Sequence, residues 1–193
     1  MNTREQILQS VRRAGMPPLP YPATARFEQP AHWEAFSTAA QTAGARVAPV
    51  SSREDILHVL QIHHARKRVF SALPGLESIA EAAGPGLDPH KFADVEAVVL
   101  QGRFGVAENG AIWLQESDMV LRALPFICQH LYVLIRKEDI VADLHTAYER
   151  IGADDYGFGL FLCGPSKTAD IEQALVLGAH GARTLTVFTG GFE

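Results

Sequence analysis

Residues 159–188 are GLFLCGPSKTADIEQALVLGAHGARTLTVF, and this stretch decides the fold. The run GLFLC is apolar enough to be a buried strand, a helical pattern follows from Thr168 to Gly178, and RTLTVF predicts a second strand. Within the helical pattern, i, i+3, i+4, i+7 spacing relates Ile171, Ala174, Leu175 and Gly178. A strand, a helix and a strand in this order are typical of a crossover between parallel strands.

The first half of the chain has the same alternation. WEAFSTAAQTAG, after His32, predicts a helix that ends at Gly44, and RVAPV predicts a short strand. A capping box from Ser51 to Glu54 opens a second helix. RVFSAL then predicts a strand, and a third helix is expected over Leu76–Ala83.

The middle of the chain is richer in strands. VEAVVLQ, GAIWLQ and HLYVLIR are strand-like runs with no strong helix between them, and short gaps permit antiparallel neighbours. A helix over Glu138–Gly152 then restores the alternation. We therefore expect an α/β fold whose sheet is mixed, mostly parallel and flanked by helices.

The N-terminal residues form a separate part. Thr3–Ala14 predicts a short helix, and the five prolines between residues 15 and 30 exclude a helix and a central strand there. We predict an N-terminal helix with a proline-rich extended arm over residues 1–31 and an α/β domain over residues 32–193. The arm could lie on a neighbouring subunit, which leaves room for a homo-oligomer.

Composition excludes several classes of function. The chain has 193 residues and a net charge of −5, so it lacks the basic excess of a nucleic-acid-binding protein. No apolar run approaches the ~20 residues that cross a bilayer, and the N-terminus lacks a secretory signal, so a cytoplasmic location is expected. The 2 cysteines cannot supply the thiolates of an iron–sulfur cluster. No metal motif and no G-x-G-x-x-G are present, so we predict no cofactor on this chain.

The turn Gly164-Pro165-Ser166-Lys167-Thr168 is one candidate site. It is not a Walker A loop, because no glycine precedes the lysine. A turn between a strand's carboxyl end and a helix N-terminus is where α/β sheets bind ligands. The predicted anion-binding residues here are Gly164, Ser166, Lys167, Thr168 and Asp170. The alternative is that the hydroxyls only cap a helix and Lys167 is solvated.

The segment GVAENGAIWL is the second candidate. Glu108 lies in a turn between two apolar runs, where a carboxylate can act as a nucleophile or a general base. Asn109-Gly110 is a strong turn dipeptide, so a solvent-facing hairpin turn is the alternative. His130 and His180 each border an element at the expected strand-end face. We therefore add His130 to Glu108 as catalytic candidates, and Asn109, Gly110 and His180 to the anion-binding set.

These two segments resemble a known family. GPSKTADIEQALVLGAHGARTLTVF resembles the C-terminal signature of the LUD domain (DUF162) family, and GVAENGAIWL resembles its central signature. The match is with small, cluster-free members of the lactate utilisation C type, and covers roughly residues 32–188. Asn109 stands where most members have Thr, and Gly181-Ala182 replaces the usual Gly-Pro.

The resemblance implies a fold similar to that of the sugar-phosphate isomerases and CoA transferases (NagB/RpiA/CoA transferase-like). It also implies a role in oxidising L-lactate to pyruvate, with the iron–sulfur clusters on partner subunits and a small organic acid as ligand. Two alternatives stay open. Glu108-Asn109-Gly110 also resembles the Glu-Asn-Gly signature of CoA transferases, which would make the chain an independent acyl-transfer or sugar-phosphate enzyme. The third hypothesis is a non-catalytic assembly protein that docks a partner through its proline-rich arm.

Overall fold

The structure is a computed structural model that describes residues 2–15, 31–82, 88–153, 155–169 and 175–190. The helices of these residues are, in chain order, α1 (Thr3–Arg13), α2 (Trp33–Thr42), α3 (Arg53–His64), α4 (Glu116–Met119), α5 (Leu124–Ile127) and α6 (Leu144–Ile151). The strands are β1 (Arg46–Pro49), β2 (Val69–Ser71), β3 (Glu81–Ala82), β4 (Ala97–Gln101), β5 (Phe104–Val106), β6 (Ile112–Gln115), β7 (His130–Ile135), β8 (Ile140–Val141), β9 (Gly159–Leu162), β10 (Lys167–Ala169), β11 (Leu175–Leu177) and β12 (Thr184–Thr189).

The main sheet is parallel throughout its six strands, in the order β1-β12-β7-β4-β2-β3. Its central strands are apolar on both faces, as the buried run Ala97–Leu100 of β4 illustrates. Parallel strands buried on both sides require this composition, because elements pack against each face of the sheet. Since all six strands run in one direction, their carboxyl ends meet at one edge of the sheet and their amino ends at the other.

The two faces of the main sheet belong to two separate cores. In β7, Leu131, Val133 and Ile135 face one core, whereas Tyr132 and Leu134 face the other, as the two-residue period of a strand requires. Helix α3 covers the second of these faces, with Ile56 and Leu60 fully buried against it. The layer over the first face contains α2 and a second sheet.

The second sheet has four strands in the order β8-β5-β6-β9, and it contains both antiparallel and parallel pairs. Ile112 and Leu114 of β6 pack toward the main sheet, whereas Trp113 packs on the opposite side with Ala147 and Ile151 of α6. The layers are therefore α3, the main sheet, the second sheet with α2, and α6. The chain between β4 and β7 forms β5, β6, α4 and α5, and thereby serves as a crossover between parallel neighbours.

The predicted fold class is confirmed: the molecule is an α/β protein with a mostly parallel sheet flanked by helices. The antiparallel pairs expected in a mixed sheet are not in the main sheet but in the second one. The predicted helices α1, α2 and α3 are present, and the capping box of α3 begins at Ser52, one residue after the predicted position. In the region predicted as helix over Glu138–Gly152, β8 takes the first part and α6 the second.

Two predicted helices are wrong. The expected helix over Leu76–Ala83 is a turn followed by the short strand β3, because this strand pairs with β2 and extends the main sheet. The expected helix over Thr168–Gly178 is wrong at both ends, where β10 and β11 form an antiparallel pair. The backbone of Gly178 is left-handed, at φ +78°, and its N–H donates to the carbonyl of Ser166, which continues the pair. Residues 170–174, with Asp170, lie outside the described residues, as does the proline-rich arm over residues 16–30.

Candidate functional site

A cavity of about 490 Å³ opens at the carboxyl edge of the main sheet. Three neighbouring strands end there: β4 at Gln101, β7 just before Arg136, and β12 just before Gly190. The second sheet and α6 close its other sides through Phe104, Trp113 and Ile151. In open α/β sheets, ligands bind in the crevice outside the carboxyl ends of the strands. We call this cavity the arginine cleft, after Arg103, Arg136 and Arg150, which line it.

Two carboxylates hold the three guanidinium groups in place. Asp139 accepts hydrogen bonds from Nε of Arg136 at 2.7 Å and from a terminal nitrogen of Arg150 at 2.8 Å. Asp118 accepts a bond from Nε of Arg103 at 2.6 Å. The side chains of Asp139 and Asp118 are only 14% and 16% exposed, whereas the arginines are 41% to 61% exposed. The buried carboxylates therefore fix the orientation of cations that face the cleft.

The charge state of Asp139 follows from these contacts. Burial disfavours its ionised form, but the hydrogen bonds from Arg150 and Arg136 outweigh burial and lower the pKa of Asp139. Asp139 is therefore ionised at neutral pH. The residues lining the cleft have three guanidinium charges against this one carboxylate. In the described residues, both terminal nitrogens of Arg136 and one of Arg150 make no hydrogen bond. Such nitrogens can bind a carboxylate or phosphate.

Trp113 lines the cleft and has a buried hydrogen-bond donor. Its side chain is 4% exposed, and within the described part of the chain its indole nitrogen has no hydrogen-bond partner. A buried N–H without a partner costs free energy that an acceptor atom of a ligand or a water can recover. The side chain itself is held by Tyr156 and Phe161, with ring centroids 5.3 and 4.7 Å away.

The predicted turn at Gly164–Thr168 lies in a second, smaller cavity of about 330 Å³, which we call the GPSK pocket. It brings together four of the predicted residues, Gly164, Ser166, Lys167 and His180, over an apolar floor that includes Leu131 and Leu185. The N–H of Ser166 donates to the carbonyl of Ala182 at 2.9 Å, which ties the turn to the His180 loop. Thr168 belongs to β10, so it does not open a helix as expected, and the N-terminal helix dipole that the prediction invoked is not found at this residue.

The predicted turn at Glu108–Gly110 makes hydrogen bonds that join neighbouring segments of the described fold. Oε2 of Glu108 accepts the N–H of Leu144, the first residue of α6, at 3.0 Å. Oδ1 of Asn109 accepts the N–H of Ala111 at 2.9 Å, and Gly110 adopts φ +74°. The thiol of Cys163 donates to the carbonyl of Asn109 at 3.2 Å, so this turn and the GPSK turn are neighbours. Lys167 lines the GPSK pocket, whereas Glu108 is not among the described residues that line that pocket.

His130 lies at the edge opposite to the one expected. It is the first residue of β7 and pairs with Thr184, the first residue of β12, so it marks the amino edge of the main sheet. Its Nδ1 is 2.8 Å from Oγ1 of Thr184, and its ring is 5.1 Å from that of His64. A residue that begins a parallel strand lies at the amino edge of the sheet and cannot reach the carboxyl edge. The sequence prediction did not distinguish these two edges.

Sequence reasoning missed the arginines. Arg103 and Arg136 each follow a strand run within a residue or two, at QGR and LIR, and this position could have placed both at the carboxyl edge. Arg150 is in α6, and its position at the cleft depends on how α6 packs on the second sheet. In the described ranges, no group of three or more His, Cys, Asp or Glu side chains is arranged to hold a metal ion. No described helix is long and apolar enough to span a membrane.

The fold is one that a solved structure also has. A crystal structure of a DUF162 family protein from Deinococcus radiodurans superposes with a TM-score of 0.63, at 22% identity, over 82% of this chain and 95% of that chain. The LUD domain family model matches residues 88–188, more than half of the chain. This chain therefore belongs to the LUD domain family, as the two signature segments predicted.

Several curated relatives are similar to this chain. An uncharacterized protein of Neisseria meningitidis is 26% identical over 97% of this chain and 93% of that protein. Lactate utilization protein C of Oceanobacillus iheyensis is 29% identical over 61% of this chain and 49% of that protein. Lactate utilization protein C of Bacillus pumilus is 34% identical over 40% of this chain and 35% of that protein. The matches therefore span about half, or less, of these two lactate utilization proteins.

Proposed function

We propose that this chain serves lactate utilisation as a subunit that carries no cluster and binds the carboxylate of lactate or pyruvate in the arginine cleft. The observation that supports this most is the set of three arginines that line one cleft, Arg103 and Arg136 just after the carboxyl ends of β4 and β7 and Arg150 in α6, with Arg136 and Arg150 oriented by Asp139. A planar guanidinium group matches a carboxylate with two parallel hydrogen bonds, which a lysine cannot offer. The names of the relatives supply the substrate class.

The oxidation step itself is assigned to partner proteins in this proposal. Conversion of lactate to pyruvate removes two electrons and two protons, and the electrons need an acceptor. The 2 cysteines of this chain are too few for a cluster, and the chain has no dinucleotide-binding motif. We therefore propose that iron–sulfur partner subunits accept the electrons, and we expect the pure chain to bind lactate without oxidising it.

The experiment is calorimetric titration of the pure protein with L-lactate, pyruvate and the uncharged analogue L-lactamide. We expect both acids to bind and L-lactamide not to bind. Arg136→Gln should weaken binding about tenfold or more, the effect of losing a hydrogen bond to a charged group. Arg12→Gln, on the exposed helix α1, is the matched control and should leave binding unchanged. Equal binding by wild type and Arg136→Gln would contradict the proposed site.

The GPSK pocket is a second candidate for the same carboxylate, because Ser166, Lys167 and His180 all line it. Lys167→Gln separates the two pockets in the same titration. If Lys167→Gln abolishes binding while Arg136→Gln preserves it, the carboxylate belongs in the GPSK pocket. In the arginine cleft model the pattern is reversed. Reconstitution of lactate oxidation with the iron–sulfur partners, with and without this chain, then tests the role in the pathway.

A further inference from the structure

A third cavity, of about 750 Å³, lies on the face of the main sheet that α3 covers, toward its amino edge. We call it the amino-edge cavity. The main sheet supplies Arg46, His130, Thr184 and Thr186, and α3 supplies His63 and His64. It opens at the other edge of the sheet from the arginine cleft and shares no lining residue with that cleft.

The lining of this cavity has no acidic residue among the described residues, although the chain has 22 acidic residues and a net charge of −5. Arg46 supplies a permanent positive charge, and His63, His64 and His130 supply imidazole nitrogens. Burial lowers the pKa of His130, and the nearby positive charges of Arg183 and Arg46 lower it further against the opposing effect of Glu96. The nearest carboxylate oxygen to the His130 ring, from Glu96, is 3.7 Å from Nε2. The described lining of the cavity therefore has one permanent cation, Arg46, beside imidazole rings that burial keeps neutral, and it has no carboxylate of its own.

His64 lines this cavity, and one of its ring nitrogens is buried without a hydrogen-bond partner among the described residues. The residue is 3% exposed, and its Nε2 is 2.7 Å from the hydroxyl of Tyr132. Its Nδ1 has no partner among the described residues. Tyr132 is in turn stacked on Phe188 at 5.3 Å, so the imidazole is held in one orientation. Most buried polar atoms in proteins have a hydrogen-bond partner, so an unpaired one calls for an explanation, and a bound ligand is one.

Hydroxyl groups and apolar side chains line the same face. Thr186 pairs in register with both Arg46 and Tyr132, and Thr184 pairs with His130, so these side chains project from one face of the sheet. Ala48, Val59 and Phe188 provide an apolar wall beside them. Hydroxyl and guanidinium donors beside an apolar wall fit a ligand with an oxyanion at one end and a hydrocarbon or ring at the other.

We propose that the amino-edge cavity binds an organic oxyanion, a carboxylate or phosphate ester on an apolar body larger than lactate. Arg46 and the hydroxyls of Thr184 and Thr186 contact the oxyanion, and Nδ1 of His64 pairs with a polar atom of the ligand. The volume of about 750 Å³ lies in the range of cavities that bind cofactor-sized molecules. This site is separate from the carboxylate site of the arginine cleft, and does not depend on it.

The test uses the ring signals of the 8 histidines in NMR spectra of the full chain. Phenyl phosphate and benzoate are the two oxyanion probes, and benzyl alcohol is the uncharged control. We expect at least one of the two oxyanions to shift the signals of His63, His64 and His130 and to leave those of His32, His58, His90 and His145 in place. The oxyanion that shifts them at the lower concentration identifies the preferred head group.

One variant makes the test specific. Arg46 is exposed, so Arg46→Gln should fold normally. Arg46→Gln should raise the concentration needed for half-maximal shift about tenfold, the effect of losing a hydrogen bond to a charged group, whereas Arg12→Gln and Arg136→Gln should not change it. Failure of both oxyanions to shift the three signals, or equal shifts with benzyl alcohol or in Arg46→Gln, would overturn the proposal. Loss of lactate binding in Arg136→Gln would not contradict the proposal for the amino-edge cavity.

Discussion

Glu108 stabilises the first turn of α6 through its side chain, since its Oε2 accepts the N–H of Leu144. The first N–H groups of a helix have no partner inside the helix, so a carboxylate from another element can serve as their acceptor. Asp143, the N-cap residue, accepts the N–H of Thr146 from the same turn. Two acidic side chains from different parts of the chain therefore cap one helix. Glu108 thus has a structural role that does not require it to be catalytic.

Substitution of Glu108 separates this role from that of a nucleophile. Glu108→Ala should lower the free energy of unfolding by about 1 kcal/mol, because an N–H of α6 loses its acceptor. Glu108→Gln retains an acceptor oxygen and should cost less than Glu108→Ala. Urea unfolding measures both values, with the exposed Glu138→Ala as the control. If Glu108→Gln abolished a measured acyl-transfer activity while folding normally, the residue would be catalytic after all.

His64 makes the stability of the protein depend on pH. Burial lowers the pKa of His64 from 6.5 to about 4, and repulsion by His130 adds to this effect. The folded protein therefore keeps His64 neutral while the unfolded chain takes up a proton below about pH 6.5. The stabilising contribution is complete above that pH and is lost progressively as the pH falls toward 4.

The expected change is a loss of about 2 kcal/mol in the free energy of unfolding between about pH 7.5 and pH 5 from this residue alone. Urea unfolding at the two pH values measures it, and the difference between wild type and His64→Gln isolates it from other titrating groups. His58→Gln, on the exposed side of the same helix, should retain the wild-type pH dependence. An unchanged pH dependence in His64→Gln would show that another group is responsible.

At the scale of elements, the β5–β6 turn fits closely against α2. A Cβ atom added to Gly110 would lie 2.3 Å from the backbone nitrogen of Ala40, and the residue has φ +74°. Both the left-handed conformation and the contact therefore require glycine at this position. Gly164 has a similar relation to the end of the same helix, where its Cβ would lie 2.3 Å from the carbonyl oxygen of Ala43. Helix α2 is thus the surface on which both signature turns rest.

Gly110→Ala should lower the free energy of unfolding by about 3 kcal/mol, because strain in the backbone adds to overpacking against α2. Gly157→Ala is the matched control. Gly157 also has a positive φ, of +63°, but an added Cβ would meet only the end of the Glu116 side chain, at 3.0 Å. It should cost about 1 kcal/mol. Thermal or urea unfolding compares the two, and equal losses would mean that the contact with α2 contributes nothing.

The sequence predicted most elements but not the pair β10–β11. Leu175, Val176 and Leu177 form a continuous apolar run, which fits a strand as well as one turn of an amphipathic helix. The helical prediction relied on a stripe with only four members and on hydroxyl residues that also occur in tight turns. What decides between the two is the pairing of Lys167 with Leu177, a contact that no local pattern contains.

For the whole molecule, alternation of helices and strands predicted a parallel sheet, but it could not predict the strand order, because β1 pairs with β12 from the other end of the domain. The second sheet could not be predicted in the same way. Its β8, β5, β6 and β9 come from segments between residues 104 and 162, and β9 is joined to β6 across more than 40 residues. The arginine cleft could not be predicted from sequence patterns either. Its three arginines, Arg103, Arg136 and Arg150, share no motif and come together only when the second sheet packs on the main sheet.

The two sheets should unfold as one unit, because a single core joins them. Ile112 and Leu114 of the second sheet belong to the same buried cluster as Val133 and Val187 of the main sheet and Phe36 of α2. Neither sheet can lose its partner without exposing this apolar surface, and burial of each large side chain contributes about 1.5–3 kcal/mol. Partial unfolding of one sheet alone is therefore expected to be unfavourable.

Two reporters from opposite layers test this cooperativity. The chain has 2 tryptophans, so Trp33→Phe leaves the fluorescence of Trp113, which reports on the second sheet, while the ring signal of His64 reports on the α3 layer. In this variant we expect both signals to disappear at the same urea concentration, as two-state unfolding requires. Loss of the Trp113 signal at a lower urea concentration than that of His64 would show that the second sheet opens independently. The arginine cleft, which lies between the sheets, would then also open before the main sheet unfolds.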